Sequence, residues 1–248
     1  MSLRRQRARL LRPDGSPDPR AEIQRFDIHQ RLQYWLLIGS ATLLALSGWP
    51  LSTHGVGGSQ ALVGLFGGQP GAALLHRLAA ACMLTAVAYH GLWLVMKLAQ
   101  NRLAFTMLPT VKDLRDAGHN FLYYVGVRPE PPRFPRFSYL EKFDYWAVFF
   151  GASVMTVSGV IRWFPDTVAA YAPAWVYEVA LYAHADEGLL LALALFGWHF
   201  YHAHLRPPTF PVSRTYLTGR ITLGELEARH GAEYNEIVAA LRRDEGAP

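Results

Sequence analysis

The sequence predicts an all-α fold: an integral membrane four-helix bundle with short interfacial helices and a small cytoplasmic C-terminal helical tail. Three observations predict it. Four long stretches are almost free of charge; 51% of the 248 residues are apolar and only 17% charged; and the basic residues gather beside the apolar stretches instead of forming one patch. The formal net charge of +5 is therefore read as membrane-surface charge. No basic face with interleaved aromatics is present to suggest nucleic acid as a partner.

Crossing a bilayer takes about 17–25 mostly apolar residues, because backbone hydrogen bonds must be made within the helix. Residues 32–49 are uncharged and are expected to end at Pro50. Residues 78–96 form the second stretch, ended by Lys97. Residues 145–161 form the third, between Asp144 and Arg162, and residues 188–205 the fourth, stopped by Arg206-Pro207-Pro208. Residues 1–20 are rich in Arg and Pro and lack an apolar core, which reads as a retained tail and not a signal peptide. The domain reading is a basic N-terminal tail over 1–24, the four-span domain over 25–206 and a cytoplasmic tail over 207–248.

Lys and Arg set the expected orientation. The N-terminal tail, the loop over 97–142 and the chain from Arg206 onward are basic; residues 50–75 carry no charge, and residues 166–183 only Asp166 and Glu178. Both termini and the central loop are thus expected in the cytoplasm, with spans two and four parallel. The glycine-rich residues 55–71 read as a short helix or flap at the outer surface. Residues 113–125 and 168–182 have the apolar spacing of interfacial helices. Residues 128–135 are a proline-rich extended connector. Thr222 to Glu225 resembles a capping box opening a helix through His230, with another helix over 232–243.

With a single cysteine, Cys82, the chain offers no disulfide, no Cys-x-x-Cys-His attachment site and no iron–sulfur cluster, so a redox cofactor must be held by histidine. His76 and His90 lie 14 residues apart near span two, and His184 and His199 lie 15 apart near span four. On α-helices these separations rise about 21 and 22 Å and depart from whole turns by about −40° and +60°. Parallel spans then let His76 face His184 near the outside and His90 face His199 near the inside. That rectangle suits two stacked b-type haems, each taking one imidazole from either side. Arg77 and Arg162 are placed to pair with haem propionates, and snorkelling to the interface is the plainer reading. Gly91, Gly151, Gly159, Gly188 and Gly197 suit either close approach of a ring or helix packing. His202 and His204 compete with His199, as inner ligands or together with it as a non-haem metal cluster.

The motifs resemble a known family. Arg25-Phe26, Tyr34-Trp35, Leu46-Ser47-Gly48, His76-Arg77 and Tyr89-His90 are similar to those of the di-haem cytochrome b subunits of formate dehydrogenase, thiosulfate reductase and membrane-bound hydrogenase. Glu141 to Trp146, Met155 to Gly159, Trp198 to Tyr201, Phe210-Pro211, Leu217 to Arg220 and Glu233-Tyr234 look closer to the branch that partners periplasmic multihaem c-type cytochromes. The resemblance implies a subunit of a quinone-linked oxidoreductase in the bacterial inner membrane, with two haems b. It also implies menaquinone or ubiquinone near the inner haem, and in this chain the inner interface around His29, Arg31, Tyr34 and His204 is where a quinone pocket is expected. A periplasmic multihaem cytochrome c or iron–sulfur protein would be the partner at the outer one. His76 and His184 match the outer ligands and His199 the span-four inner ligand. Relatives of the formate dehydrogenase type take the other inner ligand from span one, where this chain has Tyr34, so His90 is the candidate and His29 the reserve. Two rivals from other classes are a non-conducting membrane anchor for a soluble redox protein and a His-cluster metal-binding or transport protein.

Overall fold

The computed structural model describes residues 9–54, 56–207, 209–210 and 212–243. Residues 1–8 and 244–248, Gly55, Pro208 and Pro211 lie outside this set, and so do the parts of the readings above that fall on them. The chain is mostly helical, at 73%. In order come β1 (Glu22–Gln24), α1 (Ile28–Ser52), a single 3-10 turn (Gly57–Ser59), α2 (Gln60–Leu65) and α3 (Gly68–Ala99). They are followed by α4 (Val111–Tyr124), α5 (Tyr139–Trp163), α6 (Pro165–Tyr171) and α7 (Ala174–Ala192), which continues as π-helix over Leu193–His199 and Tyr201–Leu205. The chain then forms α8 (Thr215–Thr218), β2 (Arg220–Thr222), α9 (Leu223–Arg229) and α10 (Gly231–Arg243).

Four of these helices are long and apolar enough to cross a membrane: α1, α3, α5, and α7 with its π-helical continuation. At most 22% of any one's apolar window is buried, so most of their surface must be matched by an apolar surrounding, which marks a multi-pass membrane protein. Their hydroxyls are satisfied within the helix: Ser40, Ser47 and Ser158 donate to the carbonyls of Leu36, Leu43 and Val154, each at 2.6 Å.

Two expectations need correction. Pro50 does not end span one: it sits inside α1, where its missing N–H falls in the last turn and removes only one helical bond. Residues 174–182 belong to the fourth span's own helix, and only α6 stands apart, because Pro173 at its extended N-cap position starts a new helix. The capping at Thr222 is as expected, with its hydroxyl accepting from the Glu225 N–H at 3.1 Å.

The described chain divides into two compact units. One comprises Met1–Ile28, Ala104–Trp146 and His202–Pro248, the other His29–Leu103 and Ala147–Tyr201. The first holds a small apolar core of Leu10, Ile23, Ile221, Leu223, Leu226 and Leu241 beneath the antiparallel pair β1–β2, in which Ile23 faces Ile221. Beside it is a buried polar cluster. Arg25 is buried, and its guanidinium donates to Glu233 and to the Arg136 carbonyl and lies 3.1 Å from His230 Nε2. Arg136 donates to Glu233 at 3.0 Å, and His230 Nδ1–H to the Pro135 carbonyl at 2.9 Å. Burial, reinforced by Arg25, holds the His230 imidazole below its ordinary pKa although Glu141 stands 3.7 Å away.

In the same unit Lys142 Nζ donates to Asp113 Oδ2 at 2.7 Å, with both side chains buried, and the Thr110 N–H and hydroxyl donate to the same oxygen at 2.6 and 2.7 Å. Burial would raise the Asp113 carboxyl, but Lys142 and Thr110 outweigh it and hold it below the usual carboxylate value. Its contribution to stability is therefore present above the unfolded carboxylate pKa and is lost as pH falls through the lower folded value. Asp113→Asn is expected to lose this pH dependence and to leave Lys142 unpaired, at a cost of about 3–5 kcal/mol at neutral pH. Unfolding of the full chain in detergent as a function of pH checks it.

Candidate functional site

Within the second unit, α1 and α3 run antiparallel in a heptad register. Ser47 meets His76, Ser40 meets Met83 and Gln33 meets His90, each step moving seven residues down one helix and seven up the other. Small residues make this approach possible: Ser40, Ser47, Ala72, Ala79 and Ala86 are all buried. The α5 and α7 helices pair in the same sense, Ser158 meeting His184 and Met155 packing where a Gly188 side chain would stand.

The outcome is a matched pair of imidazole seats. Ser47 Oγ lies 3.0 Å from His76 Nδ1, and Ser158 Oγ lies 3.0 Å from His184 Nδ1. A Cβ on Gly48 would stand 3.2 Å from His76 Cε1, and one on Gly159 would stand 3.1 Å from His184 Cε1. Each ring therefore rests against a serine–glycine step of the preceding span, His76 on α1 and His184 on α5. The two rings face each other with centroids 6.2 Å apart and planes at 71°. Two imidazoles binding one metal from opposite sides, each nitrogen about 2.0 Å from the ion and about 1.2 Å from its own ring centre, have centroids about 6.4 Å apart. The observed centroid separation would suit a single metal ion held between the two rings.

Arg162 lies within electrostatic reach of both rings, and its buried Nε has no hydrogen-bond partner among the described residues. A guanidinium in that state beside two candidate ligands fits a carboxylate such as a haem propionate. Arg77, next to His76, lies over the Trp163 ring at 5.8 Å.

The inner candidates are distributed as follows. His90 Nδ1 lies 2.9 Å from Gln33 Oε1, a carbonyl oxygen that only accepts, so Nδ1 carries the proton; the ring stacks on Trp93 at 6.2 Å and 21°. His29 Nδ1 lies 2.7 Å from the Tyr89 hydroxyl, beside His90 in sequence. His199 ends the first π-helical stretch. Because a π-helix turns less per residue than an α-helix, the phases computed for an α-helical span four do not apply beyond Ala192, and matched rise is no longer a ground for preferring His199. His202 Nε2 pairs with Asp144 Oδ2 at 3.0 Å, and His204 is buried edge-on against Tyr216 at 4.8 Å. Both thus have partners in the protein, and Asp144 supplies a carboxylate at this end of the span.

Sequence reasoning passed over Ser47, Ser158 and Gln33, although Leu46-Ser47-Gly48 and Val157-Ser158-Gly159 repeat one step in spans one and three. Of the glycines singled out, Gly159 seats a ring, Gly188 receives Met155, Gly151 receives Glu187 and Leu191, and Gly91 and Gly197 face open space. No known family's sequence profile matches the chain, and no curated protein matches it.

Proposed function

We propose that the chain is a membrane electron-transfer subunit that holds two b-type haems between spans two and four and links a quinone on the cytoplasmic side to a periplasmic redox partner. The observation that carries the reading is the His76–His184 pair: two imidazoles 6.2 Å apart, each tied at Nδ1 by its own serine. Haem iron, when bound, supplies one-electron chemistry that no side chain here offers. The chain's own residues would hold it: His76 and His184 would each give an imidazole nitrogen from a different helix, and Arg162 would offer its free N–H to a propionate. Arg77 lines the same end of the site, and His90 and His199 serve as ligands at the inner site.

The basic N-terminal tail, central loop and C-terminal tail support an orientation with both termini in the cytoplasm, and the family resemblance supports a bacterial inner membrane. The family resemblance supports a multihaem c-type cytochrome or an iron–sulfur protein as the partner and menaquinone or ubiquinone as the substrate. His29, one residue of the proposed quinone contact, is hydrogen-bonded to Tyr89, the neighbour in sequence of the inner ligand His90.

A pyridine haemochromogen assay on the purified chain, expressed with ample haem, tests the proposal. Two haems per chain and the reduced b-type α-band are expected; a colourless protein would leave only the anchor or the transport reading. The inner site is tested on His90→Ala and His29→Ala. We expect His90→Ala to lose one haem and His29→Ala to keep both, and the reverse pattern would move the ligand to span one.

A further inference from the structure

We infer that Ser47 and Ser158 are positioning residues that choose the ligand nitrogen of His76 and His184 by fixing each ring's tautomer and plane. The inference rests on the reading of those histidines as axial ligands, and the geometry behind it is specific. A serine hydroxyl has one proton and two lone pairs. In both serines the proton is already committed, to the Leu43 carbonyl at 2.6 Å and to the Val154 carbonyl at 2.6 Å. What each serine offers its histidine at 3.0 Å is therefore a lone pair, which only a protonated Nδ1 can meet. The neutral ring is then left with its lone pair on Nε2, the nitrogen a metal would take.

The opposite tautomer would set two lone pairs against each other, or require the serine to abandon a helical carbonyl in a low-dielectric surrounding where the loss is not made up by water. The glycines close the other route of escape. A Cβ on either glycine would stand only 3.1 to 3.2 Å from the ring's Cε1, so each imidazole lies in space beside the helix that a glycine leaves open, and this close seat restricts how its plane can turn. Two rings on different helices, in sequences without an obvious common spacing, have acquired the same partner, the same distance and the same glycine. Packing alone does not ask for that coincidence. Ser40 supplies the comparison: it is buried on the same face of α1 one heptad from Ser47, bonded to the Leu36 carbonyl and lying against Met83, with no histidine.

The test uses the full chain in detergent, as wild type and as Ser47→Ala, Ser158→Ala and Ser40→Ala. Haem affinity is read by transfer to excess apomyoglobin, and the ring planes by the EPR spectrum of the oxidised haems. Ser47→Ala and Ser158→Ala are each expected to weaken one haem by about 10–100-fold and to shift or broaden its EPR signal, and Ser40→Ala to do neither. If all three alanine variants behave alike while the wild type is loaded, the inference is overturned and the haem reading stands. A colourless wild type overturns the haem reading and this inference with it. Should the alanine variants fail to fold, ¹⁵N-histidine NMR of the wild-type apoprotein decides: protonation of His76 and His184 at Nδ1 is expected, and protonation at Nε2 overturns the inference.

Discussion

His184→Ala is expected to take the chain from two haems to one, and His76→Ala to do the same, with the inner haem spectroscopically unchanged in both. On the proposed reading the two rings, 6.2 Å apart, share one haem, so removing either would leave its iron with a single protein ligand. Loss should be close to complete, because the surviving imidazole remains tied at Nδ1 by its serine and has no freedom to follow a displaced metal. Combining the two substitutions should add little, as expected for residues that share a partner. Haem-to-protein ratios on purified single and double variants check this. Retention of both haems in either single variant would separate the two histidines and end the case for an outer bis-imidazole site. His119→Ala is a fitting control: among the described residues its ring hydrogen-bonds the Glu130 carbonyl at 3.1 Å, in the unit that does not contain the pair.

Glu233→Ala is expected to destabilise the unit built from the N-terminal segment, the central loop and the tail by about 3–5 kcal/mol. Glu233 receives both Arg25 and Arg136, and the Arg25 side chain is only 3% exposed. Removing the carboxylate takes away the one acidic group that the buried guanidinium is hydrogen-bonded to among the described residues, and leaves it beside His230 with only the more distant Glu141 to offset its charge. Glu233→Gln, which keeps an acceptor oxygen without the charge, should lose less. Hydrogen exchange on the full chain locates the effect: the amides of β1 and β2 should exchange faster in Glu233→Ala while those of α3 are unchanged. Protection of the two strands equal to wild type would show that the apolar core of Leu10, Ile23, Leu223 and Leu226 holds the unit without the cluster.

Much of the architecture follows from one-dimensional pattern. Long uncharged stretches have few outcomes available, since an unpaired backbone group in an apolar surrounding is so unfavourable that the segment must be helical; hence the four long helices were legible, with errors confined to their ends. Pro50 misled because a proline in the last turn of a helix removes little. The π-helical run over Leu193–His199 was illegible because it depends on how a helix is packed and not on any residue preference. The N-terminal segment read as a tail because its strand has only three residues, too few to carry a pattern, and gains its partner some 200 residues later in β2.

The site divides in the same way. Composition and spacing by themselves determined that histidine was the ligand type available, that His76 and His184 were candidates and that basic residues flank the spans, because these depend on residue type and helical period alone. Only the tertiary structure decided which face each ring presents. Ser47 and Ser158 became partners of histidines 29 and 26 residues away through the antiparallel pairing of helices, and a hydrogen bond of that kind is a matter of register, which no local pattern encodes.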